Sequence, residues 1–449
     1  MIEMINQVKK YLFEPKSVAS LGLFRVLVGC VLFLQTAYWI ATDFVAKNII
    51  EPPIKFPFPY FEFVKPLSQS GMGLLMYTML FSCFLIIIGK AFRVACAVFF
   101  FTFTYFWMID TGYFNNHYYF ISLLVFLLFF TDADKWNIFK LKQNQSHITV
   151  PNWQIFILRF QVFIIFFIGG LNKLNPYWLF DFQPMKFILE TKASVSNMPW
   201  LASTFFFAAF SWLGLLFDIS IGFLLWIRKT RKFAFITYIL FNLTNFLLFY
   251  NIGEIGFFPL LLVASLVIFI SPEKIDTWLA KKLKPTKVKT KEIAPVPTKN
   301  KLVFPAIVLF VVFQFLFPFR HLLIPGQVDY TGQGQRFAWR MKIMYKAHDI
   351  QFYFTYDGNT EKTPVKIADL MTDKQYTNLI YYPNCVPVAA KYLKKILIEK
   401  GVPNPKVYAD FKIGFQGQEL QSLFSPDIDL AMINYHPHKK NDWIIPLKD

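Results

Sequence analysis

Lys173 closes a long apolar run, Gln161-Val-Phe-Ile-Ile-Phe-Phe-Ile-Gly-Gly-Leu-Asn-Lys-Leu-Asn-Pro-Tyr-Trp-Leu179. An ammonium at the edge of hydrocarbon is costly to keep charged, which favours the neutral amine. A neutral lysine can take a proton as a base. The competing reading is a snorkelling side chain whose head reaches interfacial water. His117, in Tyr113-Phe-Asn-Asn-His-Tyr-Tyr119, opens a second apolar run. It can serve as an interfacial hydrogen bonder or as an acid–base group. Arg25, Arg159 and Asp218 fall inside apolar runs, where an unpaired charge costs several kcal/mol. An Arg–Asp ion pair holding spans together is the expected explanation, and a substrate pathway is the alternative. Asn242 and Asn245, in Phe241-Asn-Leu-Thr-Asn-Phe246, can bond across helices or hold a polar ligand.

These groups need elements to position them. The chain of 449 residues is 55% hydrophobic and 20% aromatic, with 16% charged residues against about 25% in soluble domains. Apolar blocks near the ~20 residues that cross a bilayer predict nine spans. They fall at 18–42, 72–89, 92–109, 117–131, 153–172, 202–227, 233–250, 255–271 and 302–320. Residues 1–17 are polar and the first apolar block exceeds a signal h-region, so no cleavable signal is expected. The fold class expected is a polytopic α-helical membrane protein with a C-terminal mixed α/β, strand-rich extramembrane domain.

The net charge of +18 resides in loops between apolar blocks, which argues against nucleic acid and for the positive-inside rule. One set of alternate loops is rich in Lys and Arg, including Lys9, Lys10, Lys90, Arg93, Lys135, Lys140, Lys142, Arg228, Lys229, Arg231 and Lys232. The other set is poor. The expectation is a cell-membrane protein with a cytoplasmic N-terminus and an extracytoplasmic C-terminal domain. Its organisation reads as eight spans over 1–271, a basic cytoplasmic linker over 272–301, a ninth span at 302–320 and the outer domain over 321–449. There, Gln351-Phe-Tyr-Phe-Thr-Tyr-Asp-Gly358 and Lys406 to Phe415 read as strands, and Cys385 to Lys400 as an amphipathic helix ended by Gly401. His117 and Lys173 are assigned to the same outer surface as this domain.

The four cysteines form no CxxC pair, so neither zinc nor a disulfide framework is expected. No Walker motif, GxGxxG, GxSxG or HExxH occurs, which removes support for phosphoryl transfer, dinucleotide chemistry and zinc hydrolysis. No internal repeat points to a transporter. Any cofactor is expected to be lipophilic and to enter from the bilayer.

At this point the chain resembles the vitamin K-dependent gamma-glutamyl carboxylases and their bacterial relatives, which share a horizontally transferred transmembrane domain. Gly169-Gly-Leu-Asn-Lys-Leu-Asn-Pro-Tyr-Trp-Leu179 is similar to the family's Gly-x-x-Lys-Leu-(Asn/Asp)-x-x-Trp signature. Asn115-Asn-His-Tyr118, Phe130-Thr-Asp-Ala-Asp134, Asn245 to Pro259, Arg336-Phe-Ala-Trp-Arg-Met341, Ser425-Pro-Asp-Ile-Asp-Leu-Ala431 and Trp443 follow in the family's order. The resemblance implies an enzyme, a carbon–carbon lyase and epoxidase, that couples oxygenation of reduced vitamin K to carboxylation of glutamate side chains. It implies Lys173 as the base on the hydroquinone, with His117 and Asn116 orienting the glutamate or stabilising developing charge. It places Trp178, Asn245 and Phe258 at the quinone, and Arg336, Trp339 and Arg340 at the substrate. The co-substrates implied are a menaquinol-type hydroquinone, O2 and CO2, with no metal. The partners are the lipid bilayer and a glutamate-containing peptide or protein. The family's usual motifs are altered at Asn242, Gly332-Gln-Gly-Gln335 and Phe415-Gln-Gly-Gln418, which puts the peptide groove in doubt. A non-catalytic lipid- or quinone-binding protein on the same scaffold is the alternative.

Overall fold

A computed structural model describes residues 2–137, 139, 148–250, 256–283 and 301–448. The basic run at 284–300, the loop residues 251–254 and Lys140 and Lys142 lie outside the described residues. Helix α1 (Ile2–Phe13) is amphipathic and precedes α2 (Ala19–Ala41), α3 (Gln69–Ile88), α4 (Phe92–Met108) and α5 (Asn116–Phe129). Then come α6 (Trp153–Asn172), the short α7 (Pro176–Leu179), α8 (Met185–Val195), α9 (Thr204–Trp226) and α10 (Arg231–Phe249). Helices α11 (Phe258–Ser265), α12 (Pro272–Leu283) and α13 (Val303–Leu316) complete the helical part.

Among the described residues six helices are long and apolar enough to cross a bilayer: α2, α3, α6, α9, α10 and α13 with its 3-10 extension to Leu323. The nine spans expected from hydropathy are not confirmed: six pass this test, or seven if a bent pair is counted. That pair, Phe258–Phe269 and Pro272–Leu279, turns by 93°, so the expected span 255–271 falls on a bent helix pair and not on one straight helix. Helices α4 and α5 are apolar but have only 17 and 14 residues. At 1.5 Å per residue α5 reaches roughly 21 Å, short of a ~30 Å hydrocarbon core. Hydropathy sees composition, whereas spanning also needs uninterrupted length. Large apolar side chains remain exposed on the long helices, among them Leu74, Phe81, Leu213, Leu243, Leu309 and Leu316. In water such faces would aggregate, and in a bilayer they meet lipid.

The C-terminal part carries a four-stranded antiparallel sheet. Its strands are β3 (Lys346–Tyr356), β4 (Asn359–Val365), β5 (Lys406–Phe415) and β6 (Gln421–Ser422), in the order β4-β3-β5-β6. A small two-stranded sheet, β1 (Pro15–Ser17) with β2 (Thr149–Pro151), ties α1 to the start of α6. The expected strand 351–358 is the second half of β3 and its turn, and the strand Lys406 to Phe415 is β5. The four-residue α14 (Val328–Thr331) leads into the sheet region, and α15 (Asp373–Tyr381) and α16 (Cys385–Glu399) follow β4. Gly401, at φ +80°, follows the end of α16 in the left-handed region.

The strand-rich domain docks on the α4–α5 loop. Gln375 Nε2 donates to Asp110 Oδ2 at 2.6 Å, Asn378 Nδ2 to Thr111 Oγ1 at 3.2 Å, and Tyr113 and Thr372 hydroxyls pair at 2.9 Å. Burial pushes the Asp110 carboxyl up to about 6 against these hydrogen bonds.

Candidate functional site

The Gly169-Gly170 pair lets α6 and α9 approach backbone to backbone. A Cβ at Gly170 would sit 2.9 Å from the Ile219 nitrogen and 3.2 Å from the Asp218 carbonyl carbon. This close packing brings Asp218 of α9 to the C-terminus of α6. Lys173 caps that end, its backbone N–H donating to Gly170 O at 3.0 Å. Its ammonium lies 2.6 Å from Asp218 Oδ2, with side chains only 10% and 6% exposed. The positive head also faces the negative end of the α6 dipole. Asn175 caps α7, with Pro176 in the first turn, and this short helix turns Trp178 over the lysine. Trp178 Nε1 donates to Ser211 O at 2.8 Å, and its ring face sits 4.7 Å from Lys173 Nζ. The Lys173 environment is thus a dry ion pair under an indole, not a snorkelling head in open water.

The expected Arg–Asp pairing is not what forms. Arg25 donates to the backbone oxygens of Ala133 (3.2 Å), Ile87 (2.6 Å), Trp136 (3.0 Å) and Ile86. It caps the C-terminal carbonyls of α3 instead of meeting a carboxylate. Arg159 donates through Nε to Ile268 O at 2.6 Å.

His117 begins α5, where the Asn115 side chain accepts from the His117 N–H at 2.6 Å. The imidazole stacks on Phe258 at a centroid distance of 3.7 Å and 10° between planes. Both rings line a cavity of about 910 Å³ walled by α2, α5, α10 and α11. Trp39, Tyr118, Phe246 and Phe249 supply aromatic surface there, and Gln35, Asn115 and Asn242 supply polar atoms. Such a space suits a flat apolar ring with a polar edge. Asn242, not Asn245, reaches the wall. Asn245 lies roughly a quarter turn round α10 from the lining stripe of Ile239, Asn242, Phe246 and Phe249. Lys173 and Trp178 are not on this wall either. Trp178 and the cavity residue Phe249 nevertheless belong to one apolar cluster with Leu189, Leu215 and Ile343.

A strained strap at 336–342 joins the two halves. Phe337, Trp339 and Lys342 have φ of 63°, 54° and 50°, which non-glycine residues rarely adopt. The strap crosses the ends of α5 and α6. Asn116 Nδ2 donates to Arg340 O at 3.2 Å, and Asn172 Nδ2 to Ala338 O at 2.9 Å. Arg340 donates to Asn172 Oδ1 at 2.8 Å and grips Asp329 through Nε (2.9 Å) and Nη2 (2.6 Å). Trp339 is buried and stacks on Tyr119 at 4.9 Å. Arg336 lies over the Tyr382 ring at 3.9 Å and donates to Asn378 Oδ1 at 3.2 Å. The three residues expected at the substrate thus direct their side chains into the protein. Arg340 and Trp339 hold the strap, and Arg336 joins it to the strand-rich domain. Among the described residues three buried polar atoms in this region lack hydrogen-bond partners: Asn116 Oδ1, Trp339 Nε1 and Arg336 Nε.

Residues 13–274 match the HTTM domain family, and residues 299–449 match the lumenal domain of vitamin K-dependent gamma-carboxylase. This chain belongs to the vitamin K-dependent gamma-carboxylase family. No solved structure matches it. The two matched stretches meet at the site, because Asn116, Asn172, Lys173 and Asp218 come from the first and the strap from the second. A lumenal label fits a C-terminal domain topologically separate from the helices. Among the described residues no group of three or more His, Cys, Asp or Glu side chains could hold a metal ion. The sequence marks both Asp218 and Lys173 but not their pairing, and Asn172 and Asp329 are not marked as site residues. Asn172, adjacent to Lys173 inside the signature, was the one with a local signal.

Proposed function

We propose that this protein is a membrane-bound gamma-glutamyl carboxylase, coupling oxygenation of a vitamin K-type hydroquinone to carboxylation of glutamate side chains. The observation that carries the reading is the buried Lys173–Asp218 pair at 2.6 Å, roofed by Trp178. Asp218 holds the Lys173 head in place beneath Trp178, where Lys173 is proposed to act as the base on the hydroquinone. Trp178 excludes water from the amine. Asn172, next in chain, fixes the α6 end to the strap, and Asn116 fixes the α5 end to the same strap. His117 and Phe258 line the cavity proposed for the quinone and the glutamate side chain. Asn242 supplies a polar atom on that wall, and Asn245 is not among its lining residues. A reduced quinone bound there would supply, with oxygen, a base strong enough for a glutamate γ-proton, which no side chain can remove at pH 7. The proposed orientation has the N-terminus cytoplasmic and the strand-rich domain extracytoplasmic, with domain limits at 271, 301 and 320.

A second reading, a non-catalytic lipid- or quinone-binding protein, is favoured by one observation: Lys173 is engaged by Asp218 and absent from the cavity wall. The two separate in one assay. Purified protein is given reduced vitamin K, oxygen, labelled bicarbonate and glutamate peptides. The enzyme reading expects epoxide and fixed label together, both lost in Lys173→Ala by roughly 10²–10⁴-fold, the usual worth of a general base. Neither product from folded wild-type protein would sink it.

A further inference from the structure

The other end of α6 carries a cluster that the carboxylase reading does not use. Arg159 sits six residues into α6, about 21 Å along the helix from Lys173. Its Nε is spent on Ile268 O, and its terminal nitrogens have no hydrogen-bond partner among the described residues. Its guanidinium lies 5.7 Å from the Phe269 ring centroid. Arg228 and Arg231 lie within electrostatic reach, as do Tyr11 and Glu273. Arg231 donates through Nε to Leu225 O at 2.8 Å and through Nη2 to Trp226 O at 2.9 Å, capping α9. Arg228 is exposed and makes no hydrogen bond or ion pair among the described residues. Arg159, Arg228 and Arg231 therefore lie within electrostatic reach of one another, with Glu273 as the carboxylate acting on Arg159 among the described residues. Like charges gathered at a membrane edge repel unless an anion joins them.

The walls of this place are aromatic. Tyr11 meets Phe156 edge-on at 6.4 Å, Trp226 meets Phe156 at 5.6 Å, and Trp226 meets Phe269 at 6.4 Å. Beside it, Phe223, Ile227 and Phe233 are exposed on the outer faces of α9 and α10, where acyl chains would run. The anion that fits has a phosphate head for the arginines and hydrocarbon for these faces. We propose that Arg159, Arg228 and Arg231, with the aromatic wall of Tyr11, Phe156, Trp226 and Phe269, form a binding site for the phosphate headgroup of an anionic phospholipid. Bound there, the headgroup bridges α6 to the α9–α10 turn, beneath the amphipathic α1.

The full-length protein is purified, exchanged into nanodiscs of phosphatidylcholine with or without phosphatidylglycerol, re-extracted and weighed by native mass spectrometry. Wild type is expected to retain phosphatidylglycerol in preference to phosphatidylcholine. Arg228→Gln, which removes no bond among the described residues, should lower that retention about fivefold, the worth of one cation at a charged lipid surface. Arg159→Gln should lower it further, and Arg159→Lys should restore part. Equal retention by wild type and Arg228→Gln, or no preference between the lipids, would overturn the proposal. So would release of phosphatidylglycerol by millimolar inorganic phosphate, which would make this a free-phosphate site.

Discussion

Asp218 sits buried on α9 against the end of α6. As an intramembrane carboxylate it demanded a cation, and two arginines in spans were the obvious candidates. Both arginines turned to backbone carbonyls, and Lys173 took the carboxylate at 2.6 Å. Breaking one side of a buried pair leaves an uncompensated charge, at a cost of about 3–5 kcal/mol, whereas replacing both sides with apolar groups is often close to neutral. Asp218→Asn is therefore expected to lower the melting temperature in detergent more than Lys173→Met/Asp218→Leu does. Both variants should be inactive. A double variant that melts like wild type and yields no epoxide would separate the chemical role of the pair from its structural one. If the single variant melts like wild type, the ion pair is not what holds these helix ends.

At the level of elements, the α6–α9 contact sets the geometry of the pair. Gly170 meets the Asp218–Ile219 backbone and Gly222 meets the Phe163 ring, where an added Cβ would lie 2.4 Å from a ring carbon. Only residues without a side chain allow this approach, the small-residue packing typical of helices in lipid. Gly170→Ala should push α9 away, costing about 1–3 kcal/mol as overpacking does, and should lengthen the Lys173–Asp218 pair. The expected outcome is a lower melting temperature together with a loss of activity larger than the stability change explains. Unchanged activity would detach the pair from the chemistry. The Gly-x-x-Lys part of the signature thus acquires a packing reason as well as a chemical one.

For the whole molecule, the joint between helices and strands holds two titrating groups outside the spans. Lys346, at the start of β3, donates at 2.7 Å to both Tyr330 O and Tyr381 O. Burial brings its amine down to about 7, with Asp329 partly opposing. A cation whose folded pKa lies below its unfolded value of 10.5 binds fewer protons when folded. Its contribution to stability therefore rises with pH between about 7 and 10.5 and is flat below 7. Asp110, raised to about 6, works in the opposite sense, losing stability as pH rises from 3.8 to about 6, and is silent in the alkaline window. Melting temperature followed from pH 7 to 10 should carry an upward contribution in wild type that Lys346→Met abolishes. Identical pH profiles would remove Lys346 from the account. Orientation is testable at the same scale. Asp349 is exposed on β3, while Cys83, Cys96 and Cys385 are buried and Cys30 is half-buried. Asp349→Cys should react with an impermeant maleimide on intact cells, and labelling only after lysis would reverse the topology.

The amino-acid sequence by itself determined that this is a helical membrane protein with a polar, strand-bearing C-terminal part. Apolar blocks, alternating strands and the terminating Gly401 are local signals, and local signals are legible. The sequence also singled out Lys173, His117 and Asp218, because a charged or titrating group in an apolar run is conspicuous wherever it ends up. Only the tertiary structure decided that Asp218 belongs to Lys173, that Asn242 lines the cavity and Asn245 does not, and that Trp339 and Arg340 clamp a strap. Those outcomes depend on which helix faces meet and on backbone carbonyls competing for each cation. They join residues such as Asn116 and Arg340, or Asn172 and Ala338, that are far apart in the chain and carry no local mark of the contact. The count of nine spans is not confirmed for the same reason: composition marks apolar runs, but the 93° bend after Phe269 and the 14-residue length of α5 are properties of the folded backbone.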